Sequence, residues 1–274
     1  MNYPYGVHVA VTRVDQDTGA VAIELVHNFS LLHDDVIDHD AERRHRTTVW
    51  AACGVGDAIT AGDALLTLAL QVLLDNPTPG AVRAAAALVD ATQRMIGGQA
   101  ADMAFECRAV VSVEECLAME VGKTAALLGC AAALGALLAG APDGIVAALT
   151  AYGEHLGIAF QAVDDLLGIW GRADVTGKPV GSDLRQHKKS LPISAALARA
   201  NGLAPRLDTL LTADLDDDGV AHAAALIETC GGRDAAETVA REHLGHALAA
   251  LDRAPLAPGP SGELAELARF VVER

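Results

Sequence analysis

The chain is expected to fold as an all-α protein, and three features support this. Apolar residues make up 51% of its 274 residues, yet only 3% are aromatic. Alanine dominates, and alanine and leucine favour helix, whereas the β-branched and aromatic runs that mark strands are scarce. Apolar positions recur at helical spacing over long stretches separated by short breaks.

The spacing predicts a first helix over 19–38 and a second over 56–74. "DNPTPG" (75–80) breaks the chain before a third helix at 81–96, and a fourth is expected at 112–139. "GAPDG" (140–144) ends that one, and a fifth covers 145–169. "GRADVTGKPVGSD" (171–183) reads as a Gly- and Pro-bearing loop, after which helices resume through "PISAALARA". "APLAPGPSG" (254–262) separates a last short helix, and no repeat or low-complexity tract stands out, so residues 1–274 are expected to form one domain.

The uncharged stretch "TAALLGCAAALGALLAGA" (124–141) reaches the length of a membrane span, but its Ala and Gly content favours a buried bundle helix, and no transmembrane segment is expected. "MNYPYGVHVAVTRVD" lacks the basic head and apolar core of a signal peptide. The net charge of −16, with no basic tract to offset it, argues against a nucleic-acid partner. Five cysteines without a CxxC pair read as thiols in a reducing, cytoplasmic setting.

Two acidic clusters carry the chemistry. On a helix, residues four apart stack on one face, so Asp34 and Asp38 project together and Asp35 is turned about 100° aside. Carboxylates this close repel one another unless a cation sits among them, and hard oxygen donors on one face suit Mg²⁺, which shares phosphate oxygens readily. Charge runs are commonly just solvated helix ends, but a second acidic pair, Asp164 and Asp165, closes an otherwise apolar helix. No Glu-x-x-His accompanies either pair, which sets aside a di-iron site. Cations follow both clusters: Arg43 and Arg44 after the first, Lys178, Lys188 and Lys189 after the second, with Lys123 and Thr124 opening the alanine-rich stretch. Carboxylate-held metal on one side and Lys/Arg on the other is what a diphosphate requires.

In this arrangement the chain resembles the trans-isoprenyl diphosphate synthases, the polyprenyl synthetase family, and most closely the bacterial geranylgeranyl type. "LLHDDVIDHDAERRHRTTVW" resembles their first aspartate-rich motif, "GIAFQAVDDLLGIWG" the second, and "TGKPVGSDLRQHKKSLP" the basic loop that follows, while "GKTAALL" and "AGDALL" match further blocks. The resemblance implies a bundle of long helices around a central apolar cavity, acting as a homodimer. It implies that Asp34, Asp35, Asp38, Asp164 and Asp165 bind Mg²⁺ on an allylic diphosphate. Arg43, Lys123, Thr124, Gln161, Lys178 and Lys188 would hold that diphosphate, and His27 and Arg44 would hold isopentenyl diphosphate. Phe29, five positions before Asp34, would set chain length, with a twenty-carbon product expected and fifteen carbons next.

Two departures from the family pattern matter. Gly168 stands where many members have a third aspartate, and no Gly-Gly-Lys-x-x-Arg-Pro block precedes the first motif, where only Arg13 is found. The second departure leads to an expectation of weak isopentenyl diphosphate binding and slow elongation. It also keeps two alternatives open: a terpene cyclase or diphosphate lyase on the same fold, or a non-catalytic partner subunit.

Overall fold

The computed structural model describes residues 16–171 and 180–273. As expected it is all-α, and its one departure among the described residues is a hairpin of two-residue strands. In chain order the elements are α1 (Gln16–Ile37), β1 (Glu42–Arg43), β2 (Arg46–Thr47), α2 (Val49–Cys53), α3 (Val55–Leu74), α4 (Ala81–Glu106) and α5 (Val113–Glu120). A π-helical turn (Val121–Ala125) leads into α6 (Ala126–Leu138), followed by α7 (Asp143–Trp170), α8 (Ser182–Arg185), α9 (Leu191–Arg199), α10 (Ala204–Leu211), α11 (Asp217–Thr229), α12 (Gly232–Asp252) and α13 (Pro258–Val272).

Contacts gather into two compact units, Met1–Thr92 with Cys130–Thr150, and Gln93–Gly129 with Ala151–Arg274; α4, α6 and α7 contribute to both. In the first unit α1 packs along α3 through a stripe at helical spacing, with Ala22, Val26 and Phe29 buried. His33 continues the stripe: its ring nitrogen lies 3.2 Å from the Ile59 carbonyl, and its ring fills the space that a side chain at Gly62 would need.

In the second unit, Phe105, Val111, Cys116, Ala162, Val163, Leu191, Ala236 and Ala240 form one buried cluster. A second cluster joins Ile169, Leu184, Ile193, Leu207, Val220 and Ile227. α9 supplies side chains to both. Tyr152 is wholly buried, and its hydroxyl donates to the Leu264 carbonyl at 2.9 Å.

Two sequence expectations are corrected here. α4 does not stop at 96 but continues through Gly97 and Gly98 to Glu106. Glycine lowers helix propensity without forbidding helix, and Gly98 is needed for packing, because a side chain there would run into the backbone of Lys123. The helix expected over 112–139 is also not uniformly α: its third turn is a π-helix, and its start is fixed by a capping box in which Ser112 accepts from the Glu115 amide while the Glu115 carboxylate accepts from Ser112 N–H. Two helical stretches, Val55–Leu74 and Val113–Leu138, are long and apolar enough to cross a membrane. The second is the stretch expected as a core helix, and 61% of its apolar window is buried.

Candidate active site

The first acidic cluster sits on the last turn of α1 and the segment just beyond it. Asp38 N–H donates to the Asp34 carbonyl at 2.8 Å, so helical geometry holds Asp34 and Asp38 on one face, the first half-buried and the second exposed. Asp35 behaves differently. It is only 4% exposed and accepts a 2.6 Å hydrogen bond from Arg43 Nε. Burial pushes its carboxyl above the usual range, Arg43 opposes that shift, and Asp40 and Asp38 add to it. Arg43, expected on a diphosphate, is therefore held by Asp35, which engages one of its five donors.

The β1–β2 hairpin is anchored by the Asp40 carbonyl, which accepts from the Thr48 hydroxyl and the Trp50 indole N–H, each at 2.8 Å. At its tip Arg44 and His45 both adopt left-handed backbone conformations (φ 53° and 61°), a geometry that normally selects glycine or asparagine. Arg44 is exposed there. His27 precedes Asp34 by seven positions, about two turns, and shares its face of α1. Phe29 is 6% exposed and packs edge-on against His33, with ring centroids 4.8 Å apart.

The second cluster is more tightly built. The Thr124 hydroxyl donates to Gln161 Oε1 at 2.8 Å, Gln161 Nε2 donates to Asp165 Oδ1 at 2.9 Å, and Leu191 N–H donates to Asp165 Oδ2 at 2.8 Å. One carboxylate thus ties the π turn, α7 and the start of α9 together. Lys123, on the same π turn, is paired with Asp102 of α4 at 2.5 Å. π turns concentrate at functional sites because they redirect side chains from the regular helical face.

The two adjacent aspartates are unequal. Asp164 is half-buried, whereas Asp165 is 6% exposed and lies against Glu120, which is 1% exposed. Burial pushes Asp165 well above the usual carboxylate range, with Glu120 and Asp183 adding to the effect. Burial likewise pushes Glu120 up to about 7, while the Cys116 thiol donates to it at 3.3 Å. The ionised forms of these two buried carboxyl groups repel each other, and a bound cation would relieve that repulsion.

Lys188 lies on the segment between α8 and α9, where His187 Nδ1 contacts the Leu211 carbonyl at 2.9 Å and His187 itself has φ 54°. Lys178 and Arg13 fall outside the described residues. Gly168 is crowded: a side chain there would run into the Asp183 carboxylate.

Asp102, Glu120 and Asp183 were not singled out from the sequence. Glu120 could have been, because Glu-x-x-Lys-Thr on an apolar helix puts its charges on one face. Asp102 was hidden by ending α4 at the glycine pair. As donors, Asp34, Asp38 and Asp164 offer hard carboxylate oxygens at the ends of helices, which suits Mg²⁺. Asp165 already accepts on both oxygens and fits better as a support.

The chain matches the polyprenyl synthetase family model over residues 8–227. It is 50% identical over 261 residues to the (2E,6E)-farnesyl diphosphate synthase of Mycobacterium tuberculosis, covering 93% of this chain and 73% of that one. The structure of a polyprenyl synthetase from Streptomyces coelicolor superposes with a TM-score of 0.90 at 50% identity, covering 94% of this chain and 78% of that one. A geranylgeranyl pyrophosphate synthase from Corynebacterium glutamicum, solved with isoprenyl diphosphate and magnesium, gives 0.87 at 31% identity, covering 94% and 79%. Matches of this extent and identity settle the relationship: the chain belongs to the polyprenyl synthetase family, and it is a trans-prenyltransferase.

Proposed function

We propose that this chain condenses isopentenyl diphosphate with an allylic diphosphate in a Mg²⁺-dependent reaction and releases geranylgeranyl diphosphate. The observation that carries the reading is the construction of the α1 terminus. Asp34 and Asp38 share a face, Asp35 is withdrawn to hold Arg43, and the hairpin presents Arg44 on a strained turn.

Asp34, Asp38 and Asp164 would hold the metal, which neutralises charge on the departing diphosphate. Asp35 orients Arg43, and Asp165 orients Gln161, so that neither long side chain has to be ordered when substrate binds. Lys123, Thr124, Gln161, Arg43, Lys178 and Lys188 take the allylic diphosphate oxygens, while Arg44 and His27 take isopentenyl diphosphate. Preorganised cationic donors of this kind stabilise charge that develops as the allylic C–O bond breaks. The isopentenyl double bond attacks the allylic carbon, and the proton it loses passes to the released diphosphate.

A twenty-carbon product is supported by Phe29 lying buried below the metal-bearing turn with no insertion in the first motif. A fifteen-carbon product is the second reading, favoured by the name of the 50% identical relative. Five free cysteines support a reducing cytoplasm. Apolar side chains exposed along α3, among them Val55 (48%) and Leu68 (44%), support a homodimer.

Substitution tests the metal-bearing role. Asp34→Ala and Asp164→Ala should each remove activity while leaving the fold intact. Activity above about a tenth of wild type in both, a loss of only ~1.4 kcal/mol, would contradict it.

A further inference from the structure

Three histidines of the second unit, none of them among the residues assigned above, come together. His155 lies on α7, and His243 and His246 lie one turn apart on α12. His155 Nδ1 stands 3.0 Å from His243 Nδ1. The ring centroids are separated by 5.1, 5.0 and 5.6 Å, and one nitrogen from each ring falls within 4.8 Å of the other two. We propose that His155, His243 and His246 form a site for a borderline transition-metal ion, Zn²⁺ or its surrogates Co²⁺ and Ni²⁺.

The chemistry supports that class of ion. Zinc binds imidazole nitrogen at about 2.0–2.1 Å, so two nitrogens on one tetrahedral ion sit roughly 3.3 Å apart. The His155–His243 approach is already that close, and a His246 nitrogen within 4.8 Å of both supplies the third donor of a three-nitrogen face. His246 is the exposed member, which leaves the fourth position open to solvent. Imidazole suits zinc, cobalt and nickel, whereas magnesium prefers carboxylate and phosphate oxygen, so this site should reject the ion that the aspartates take.

The surroundings favour the ligating form of the rings. Burial holds His155 and His243 below the usual histidine range; the His246 ring adds to the effect on both, and the His155 ring adds to it on His243. Glu154 and Glu242 work the other way, and Arg253 works with the burial. Glu154 is itself paired with Arg94 at 2.7 Å, which offsets its pull on His155.

The site is separate from the aspartate motif on the same helix. Asp164 follows His155 by nine positions, which on a regular helix places it about 13.5 Å along the axis and about half a turn around it.

The test uses the full chain without an affinity tag, in saturating Mg²⁺ to occupy the carboxylates, titrated with Co²⁺ and followed by its visible d–d spectrum and by equilibrium dialysis. Wild type should take up about one equivalent with the intense absorption of a nitrogen-rich, low-coordinate site. His243→Ala should weaken uptake by roughly a hundredfold, and exposed His246→Gln, which should leave the fold intact, by roughly tenfold or more. Prenyl transfer should be unchanged in His246→Gln. No uptake by wild type, or equal uptake by wild type and a folded His246→Gln, would overturn the proposal and leave the cluster a hydrogen-bonded histidine pair beside a solvent-facing third ring.

Discussion

Asp165 accepts the backbone N–H of Leu191 at 2.8 Å, and this contact fixes the start of α9 against the second aspartate-rich motif. It makes the two adjacent aspartates separable by experiment. Asp165→Ala leaves the buried Leu191 N–H without its acceptor, which costs about 1–3 kcal/mol, and also frees the half-buried Gln161 amide. Asp164→Ala removes a half-buried carboxylate with no such duty. Thermal unfolding should therefore show a markedly lower Tm for Asp165→Ala and a near-wild-type Tm for Asp164→Ala, with activity lost in both. Equal Tm values would mean that Asp165 has no supporting role.

The glycine in the second motif invites the opposite experiment. Adding the aspartate that many family members carry looks like a gain of one ligand, but the space over Gly168 is already filled by the Asp183 carboxylate. Gly168→Asp should thus lower stability, by both crowding and like-charge repulsion, and should not raise activity at low Mg²⁺. Steady-state rates across a Mg²⁺ titration decide it. A stable variant with a lower metal requirement would contradict the structure.

The hairpin tip gives a prediction in which stability and function part. Arg44 holds a left-handed conformation that costs a non-glycine residue about 1–2 kcal/mol. Arg44→Gly relieves that cost, offset in part by the flexibility glycine adds to the unfolded chain, and should hold or raise Tm while increasing the KM for isopentenyl diphosphate. His45→Gly relieves the same strain and should leave KM alone. Parallel KM changes in the two variants would assign the effect to the turn rather than to the guanidinium.

Phe29 packs edge-on to His33 in the stripe against α3, so its ring serves the core as well as any role in chain length. Phe29→Ala should lose about 3–5 kcal/mol as a large-to-small core change and, if the ring stops the growing chain, should also shift product toward longer prenyl diphosphates. Chromatography of dephosphorylated products from the folded variant separates the two roles. An unchanged product length with a lowered Tm would leave Phe29 a packing residue only.

The features legible in the sequence were those governed by local rules. Helical periodicity located α1, α3 and α7 to within a few residues, and the i, i+4 rule put Asp34 and Asp38 on one face. What escaped was decided by packing between elements. Gly97 and Gly98 read as a helix end because propensity is a local quantity, whereas Gly98 is there to let α4 approach the Lys123 turn. The π turn has no local signature either, and the pairing of Lys123 with Asp102 spans 21 positions. The inequality of Asp164 and Asp165 depends on Glu120 and Leu191, neighbours that only the fold supplies.

Prenyl elongation by this chain is read from the carbon skeleton of its products. Radiolabelled isopentenyl diphosphate is incubated with the chain, Mg²⁺ and an allylic diphosphate, and the products are separated before and after phosphatase treatment. Label should enter an allylic prenyl diphosphate extended by whole five-carbon units, with twenty carbons as the end point, and chelation of the metal should abolish it. Release of inorganic diphosphate with an unlabelled hydrocarbon or alcohol, formed equally well without isopentenyl diphosphate, would contradict elongation by this chain.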